Sequence, residues 1–208
     1  MNGTAHAAIG GGTGFIVANT FQSMPTATLF LVGLGAVSGL IPDLDIDGKL
    51  RGRITLSHTM IRTVAQLIGT LMVFYSFYEG LGMEKYIGIG IGVGMIAIAS
   101  SIKQKHMLTI TGIGVVAGGL FLEEKWLILF GVYILIASFV PHRSYTHSAL
   151  GVIYFGWIAS VLEASLGIEG VYYTCLAGYI SHLMADSRFL PFNKRGIKLF
   201  LPVSSKEV

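Results

Sequence analysis

Residues 126–162 read W-L-I-L-F-G-V-Y-I-L-I-A-S-F-V-P-H-R-S-Y-T-H-S-A-L-G-V-I-Y-F-G-W-I-A-S-V-L, two apolar runs hinged on P-H-R-S-Y-T-H-S. Arg143 is the one formally charged residue in the whole stretch. Each run approaches the length that crosses a bilayer core. In water, such a segment would need protein wrapped around every face. In a bilayer it is a helical hairpin with its polar hinge at the surface.

The same pattern recurs in both directions. The chain of 208 residues is 53% hydrophobic and 12% charged, with mean hydropathy +0.71, whereas soluble domains carry about 25% charged residues. Apolar runs predict helices over about 5–21, 27–42, 61–80, 86–101, 107–122, 126–141, 148–166 and 171–186. The expected fold class is all-α: a polytopic membrane helical bundle, with about eight transmembrane helices in four hairpins. Helix 1 carries Gly10, Gly11, Gly12 and Gly14, which lower its helix propensity; an interfacial segment is the alternative there. The 28 glycines suit a bundle whose backbones approach closely.

Eight spans put both termini on one side, and the basic residues sort accordingly. Lys49, Arg51, Arg53, Arg62, Lys103, Lys105, Arg143, Arg188, Lys194, Arg195, Lys198 and Lys206 share that side; Lys85 and Lys125 fall opposite. Positive-inside bias makes the rich side, and both termini, cytoplasmic. The chain is therefore expected to be multi-pass in the inner (plasma) membrane. The net charge of +3 is read as loop lysine and arginine rather than nucleic-acid affinity, so no nucleic-acid partner is expected. Cys175 is the single cysteine, which excludes an internal disulfide and a cysteine-built zinc site. No signal-peptide pattern opens the chain, which is read as mature. Residues 1–187 are expected to form one transmembrane domain with polar loops at 42–60 and 140–148, and 188–208 a basic cytoplasmic tail.

The parity that gathers the lysines also gathers all six histidines, His6, His58, His106, His142, His147 and His182, on the cytoplasmic face. Three elements concentrate the polar chemistry. In G-L-I-P-D-L-D-I-D-G (39–48), an extended run after Pro42 would point Asp43, Asp45 and Asp47 to one side. In H-R-S-Y-T-H-S (142–148), His142 and His147 converge if the first lies in the turn and the second opens helix 7, with Ser144 or Thr146 capping. In G-Y-I-S-H-L-M-A-D (178–186), His182 and Asp186 stand four apart on one helix face. Ionisable groups at that depth are costly and mark polar cavities and functional sites. Imidazole with carboxylate is the donor set of zinc, manganese and iron, while magnesium prefers oxygen.

At these motifs the sequence resembles the YdjM-like family of bacterial inner-membrane proteins, which are classed as metal-dependent hydrolases. The matching elements are A-H-A-A-I-G-G-G-T-G (5–14) by its histidine and glycines, P-D-L-D (42–45), H-R-S-Y-T-H-S (142–148) and G-Y-I-S-H-L-M-A-D (178–186), followed by Gly196 and Pro202. The resemblance implies His6, Asp43, Asp45, His142, His147, His182 and Asp186 as metal ligands and catalytic groups. The segment S-R-F-L-P-F-N-K-R-G (187–196) departs from the family's short turn by being longer and more basic.

The expected function is a membrane-embedded metal-dependent hydrolase holding a divalent ion, zinc or manganese favoured, with magnesium also admissible. Such an ion acidifies a water. Asp43, Asp45 or Asp186 would serve as general base or orient a ligand histidine, and Arg143 would hold an anionic group. The substrate side points to a membrane lipid or lipid-linked phosphoester or ester. The alternative is a cation or small-solute transporter using the same His/Asp cluster, with a lipid-organising protein third. No H-E-x-x-H occurs, and H-x-x-x-D at 182–186 lacks the arginine motif that precedes it in lipid phosphatases.

Overall fold

A computed structural model of the chain describes residues 2–44, 58–101, 104–141, 143–188 and 196–208. Among these, eight α-helices and no strand occur: α1 (Gly3–Thr20), α2 (Pro25–Ser38), α3 (His58–Glu79), α4 (Gly82–Ser101), α5 (Gln104–Phe121), α6 (Lys125–Ala137), α7 (Ala149–Leu166) and α8 (Val171–Asp186). They occupy the eight apolar runs. Helices α4 and α7 are both long and apolar enough to cross a membrane; α2, α6 and residues 106–121 of α5 are apolar but shorter.

Local chemistry explains the ends. The Asn2 side chain accepts from the Ala5 N–H at 3.0 Å and caps α1. Pro25 opens α2 where its missing N–H costs nothing. Gly167 and Gly170, at φ +65° and +90°, turn the chain between α7 and α8 in a left-handed conformation that a side chain disfavours.

Two helices end earlier than their apolar runs. At α2, the Leu40 N–H reaches Val37 O and the Asp43 N–H reaches Leu40 O, tightening the chain into a 3-10 turn, Ile41–Leu44. Pro42 supplies no N–H to continue an α ladder, and it disfavours α conformation at Ile41. Asp43 therefore lies in a 3-10 turn, not in the expected extended run. At α6, the Ser138 hydroxyl bonds back to Leu135 O at 2.7 Å, and Pro141 follows.

The chain divides into two compact units, residues 1–51 with 108–208 and residues 52–107. In the smaller unit α3 and α4 pair closely: a Cβ on Gly69 would lie 2.8 Å from Gly92 O, and one on Gly92 2.7 Å from Gly69 O. In the larger unit α8 is the centre. Its buried stripe Val171, Cys175, Tyr179, His182 and Asp186 follows helical spacing against α1, α2 and α7. The described part of the C-terminal segment folds onto the same body, with Ile197 in its core and the Ala149 N–H donating to Leu199 O at 2.8 Å.

Candidate functional site

Four elements of the larger unit converge at one end of α8. Helix α1 brings His6, the 3-10 turn after α2 brings Asp43, a second 3-10 turn (Tyr145–His147) brings His147, and the last turn of α8 brings His182 and Asp186. Glycines permit the approach. Gly10 and Gly14 of α1 face Gly35 and Leu31 of α2 backbone to backbone, and a Cβ on Gly178 of α8 would lie 2.7 Å from Gly35 O. A Cβ on Gly39 would lie 2.7 Å from His6 O, so the start of α1 rests directly on the end of α2. His6, His147, His182 and Asp186 are 1%, 0%, 0% and 3% exposed, and Asp43 9%. Burial of this many ionisable groups is tolerated only when they satisfy one another or a cation.

The second turn has its own support. The Tyr179 hydroxyl, fully buried on α8, donates to Thr146 O and receives the Tyr133 hydroxyl at 3.0 Å. The Ser148 hydroxyl donates to Tyr145 O at 2.7 Å, and the Ser144 hydroxyl to Pro141 O. Ser148, not Ser144 or Thr146, occupies the N-cap position of α7, and His147 precedes the helix instead of opening it. This corrects the expected capping.

The imidazoles are oriented by defined partners. His182 donates its Nδ1–H to Gly39 O at 2.7 Å, which leaves Nε2 as its one lone pair. That Nε2 faces His147 Nε2 at 3.2 Å, Asp43 Oδ1 at 3.6 Å and Asp186 Oδ2 at 3.9 Å. His147 Nε2 stands 3.7 Å from Asp43 Oδ1, and its Nδ1 meets Thr146 Oγ1 at 3.1 Å. The hydroxyl can donate or accept, so it supports either tautomer. His6 stacks on His182 with ring centroids 3.9 Å apart, and its Nε2 lies 3.3 Å from Asp186 Oδ1. Arg143 donates Nη2–H to Asp186 Oδ2 at 3.0 Å, from a backbone held at φ +59°.

This donor set fits a divalent metal. His6, His182 and Asp186 form one group whose donor atoms lie within 4.8 Å of one another; Asp43, His147 and His182 form another. Apart from the 3.3 Å His6–Asp186 contact, the separations of 3.6–3.9 Å between Asp43 or Asp186 and the imidazoles of His147 and His182 are too long for good hydrogen bonds. They are near the spacing of atoms that share one ion at about 2.0–2.2 Å each. The carbonyl on His182 Nδ1 is the second partner that ligating histidines ordinarily have. His6 Nδ1 is buried with no hydrogen-bond partner among the described residues, a deficit of about 1–3 kcal/mol that a bound cation or water would remove. The two groups share His182, whose single free lone pair serves only one ion at a time.

Of the residues singled out from the sequence, His6, Asp43, Arg143, His147, His182 and Asp186 come together. Asp45 and His142 lie outside the described residues, as does Asp47. His106 belongs to the smaller unit. Sequence reasoning missed Gly39, Tyr133 and Tyr179, and gave Thr146 a capping role instead of its contact with His147. Tyr179 left a signal: it stands three residues before His182, on the same helix face, with a hydroxyl that needs a partner when buried.

Fold and site thus define a class: an all-helical protein with an imidazole–carboxylate cluster buried between its first and last helices. Its composition is that of a membrane protein. The YdjM inner membrane protein family profile matches residues 1–208, and the chain belongs to that family, hence to the inner membrane. No curated protein and no solved structure matches it.

Proposed function

We propose that the chain is a membrane-embedded, metal-dependent hydrolase acting at the cytoplasmic edge of the bilayer on a lipid-linked phosphoester or ester. What carries this reading is the convergence of three imidazoles and two carboxylates from α1, α8 and two 3-10 turns at separations of 3.2–3.9 Å. The nitrogen-rich donor set favours zinc or manganese over magnesium. His147, His182 and Asp43 hold the ion, with His6 and Asp186 completing or orienting the set. When bound, such an ion acidifies a water and polarises the bond to be cleaved.

The side chains do the rest. Gly39 O fixes the His182 tautomer, and Thr146 and Tyr179 hold His147. Asp186, placed between His6 and Arg143, orients His6, and Asp45 is the candidate base. Arg143 offers its guanidinium fork to an anionic group. In this reading the eight helices cross the membrane as four hairpins with both termini cytoplasmic, the shorter apolar helices as members of their pairs, in line with the lysine and arginine distribution.

The test is metal analysis of the purified full chain, followed by product release from lipid mixtures. Stoichiometric zinc or manganese that is lost in His147→Ala and Asp43→Ala, together with metal-dependent release of phosphate or fatty acid, is the expected result. Protein without any divalent ion, and without thermal stabilisation by one, would overturn the metal reading. Vesicle uptake of cations without product release would replace hydrolase by carrier.

A further inference from the structure

A groove of about 510 Å³ runs along the larger unit between α6 and α7, within the ~300–1,000 Å³ range of small-molecule sites. Tyr133 and Ile136 line it from α6, Tyr145 and Thr146 from the turn, and Ile153 and Trp157 from α7. Its wall is almost wholly apolar carbon. Ile136, Ile153 and Trp157 are 47%, 69% and 55% exposed, so the groove opens sideways along α7, which among the described residues is long and apolar enough to cross a membrane.

Its end is what distinguishes it from the other apolar hollows. The turn that closes it carries, within five residues, Arg143, the lining residues Tyr145 and Thr146, and His147. Thr146 Oγ1 is 3.1 Å from His147 Nδ1, so one side chain belongs to both groove and cluster. Arg143 keeps 26% of its side chain exposed while holding Asp186. Arg143 does not line the groove but stands two residues before Tyr145, which does; a cation so near the end of an apolar channel is complementary to an anionic head group with a hydrocarbon tail. Inside a bilayer an acyl chain gains nothing by leaving water, so preference for this groove must come from shape and from head-group anchoring.

We infer that the α6–α7 groove holds the hydrocarbon chain of an anionic lipid whose head group sits beside Arg143. That this lipid is the substrate rests on the hydrolase reading; that it binds here does not.

The full chain is reconstituted in phosphatidylcholine vesicles containing a trace of phosphatidic acid with a mid-chain diazirine, illuminated, and mapped by mass spectrometry. Adducts on Ile136, Ile153 and Trp157 should exceed those on the exposed α4 residues Ile91 and Ile98 by about fivefold. They should fall to that background when the diazirine is carried by phosphatidylcholine instead, or when Ile153→Trp fills the groove. Ile136→Trp, on the opposite wall, serves if the first variant does not fold. Even labelling along all exposed helices, or labelling untouched by either variant, overturns the inference. Labelling that rises only after dilution into excess lipid would assign the groove to a helix of a second copy and also overturn it. Metal is measured on the same samples. Groove labelling without metal keeps the lipid site and removes the hydrolase reading; metal without groove labelling does the reverse.

Discussion

Gly39→Ala tests how the site is held together. Gly39 has φ −66° and ψ −9°, a conformation alanine adopts freely, so the substitution acts through space and not through backbone strain. The new Cβ would stand 2.7 Å from His6 O and 3.4 Å from Gly10 Cα. Ordinary contact begins at 3.4 Å, so α1 and the end of α2 must separate by the difference, 0.7 Å. Overpacking of this kind costs about 1–3 kcal/mol, and the lower unfolded-state entropy of alanine returns about 0.4–1. The net loss is about 1–2 kcal/mol. The larger effect falls on the cluster, because Gly39 O holds His182 and the neighbouring contact holds His6. Metal sites tolerate about 0.2 Å, and disturbed outer partners cost about 10–100-fold in affinity. The assay is competitive metal titration of detergent-purified protein beside thermal unfolding, with Gly33→Ala as control. Gly33 lies within α2 with nothing within 4 Å of a Cβ, so its alanine should leave metal affinity unchanged and stability equal or up to about 1 kcal/mol higher. If Gly39→Ala titrates like Gly33→Ala, the claim that this contact sets the cluster geometry is wrong.

Chelation should lower the unfolding temperature, and zinc or manganese should restore it, since an ion at 100 times its Kd contributes about 2.7 kcal/mol; coincident melts with and without chelator would contradict a structural contribution from metal. Tyr179→Phe removes the donor to Thr146 O and the acceptor of Tyr133, and should cost about 1–3 kcal/mol with a weaker metal site, read by the same two assays. Arg143→Ala removes the partner of Asp186 and should weaken metal about 10–100-fold while lowering photo-crosslinking by diazirine phosphatidic acid; Arg143→Lys should restore only part of each because the planar fork is lost.

The helices were legible because uncharged apolar runs leave few alternatives, and His182 with Asp186 because a four-residue spacing places them on one face whatever the tertiary fold. The ends of α2 and α6 were less so: the run of apolar residues continues to Pro42 and Val140, whereas the backbone stops when the ladder tightens at Leu40 and Ser138. Parity put His6 on the same face as the other histidines, but only the family motif marked it as a ligand. Its partner Asp186 is set by the glycine contacts that join α1, α2 and α8, and apolar periodicity carries little register information when nearly every face is apolar. Gly39 O was invisible in principle, since a backbone carbonyl has no signature in the residue type that bears it.

The His182–Gly39 hydrogen bond joins residues 143 positions apart, and the His6–Asp186 contact ties the earliest helix to the latest. During synthesis α1 and α2 leave the ribosome long before α8 exists. Until α8 arrives, the glycine faces of α1 and α2 lack the Gly178 face that packs on them, and two of the five clustered side chains are missing. Assembly of the cluster therefore waits on α8, which supplies both His182 and Asp186.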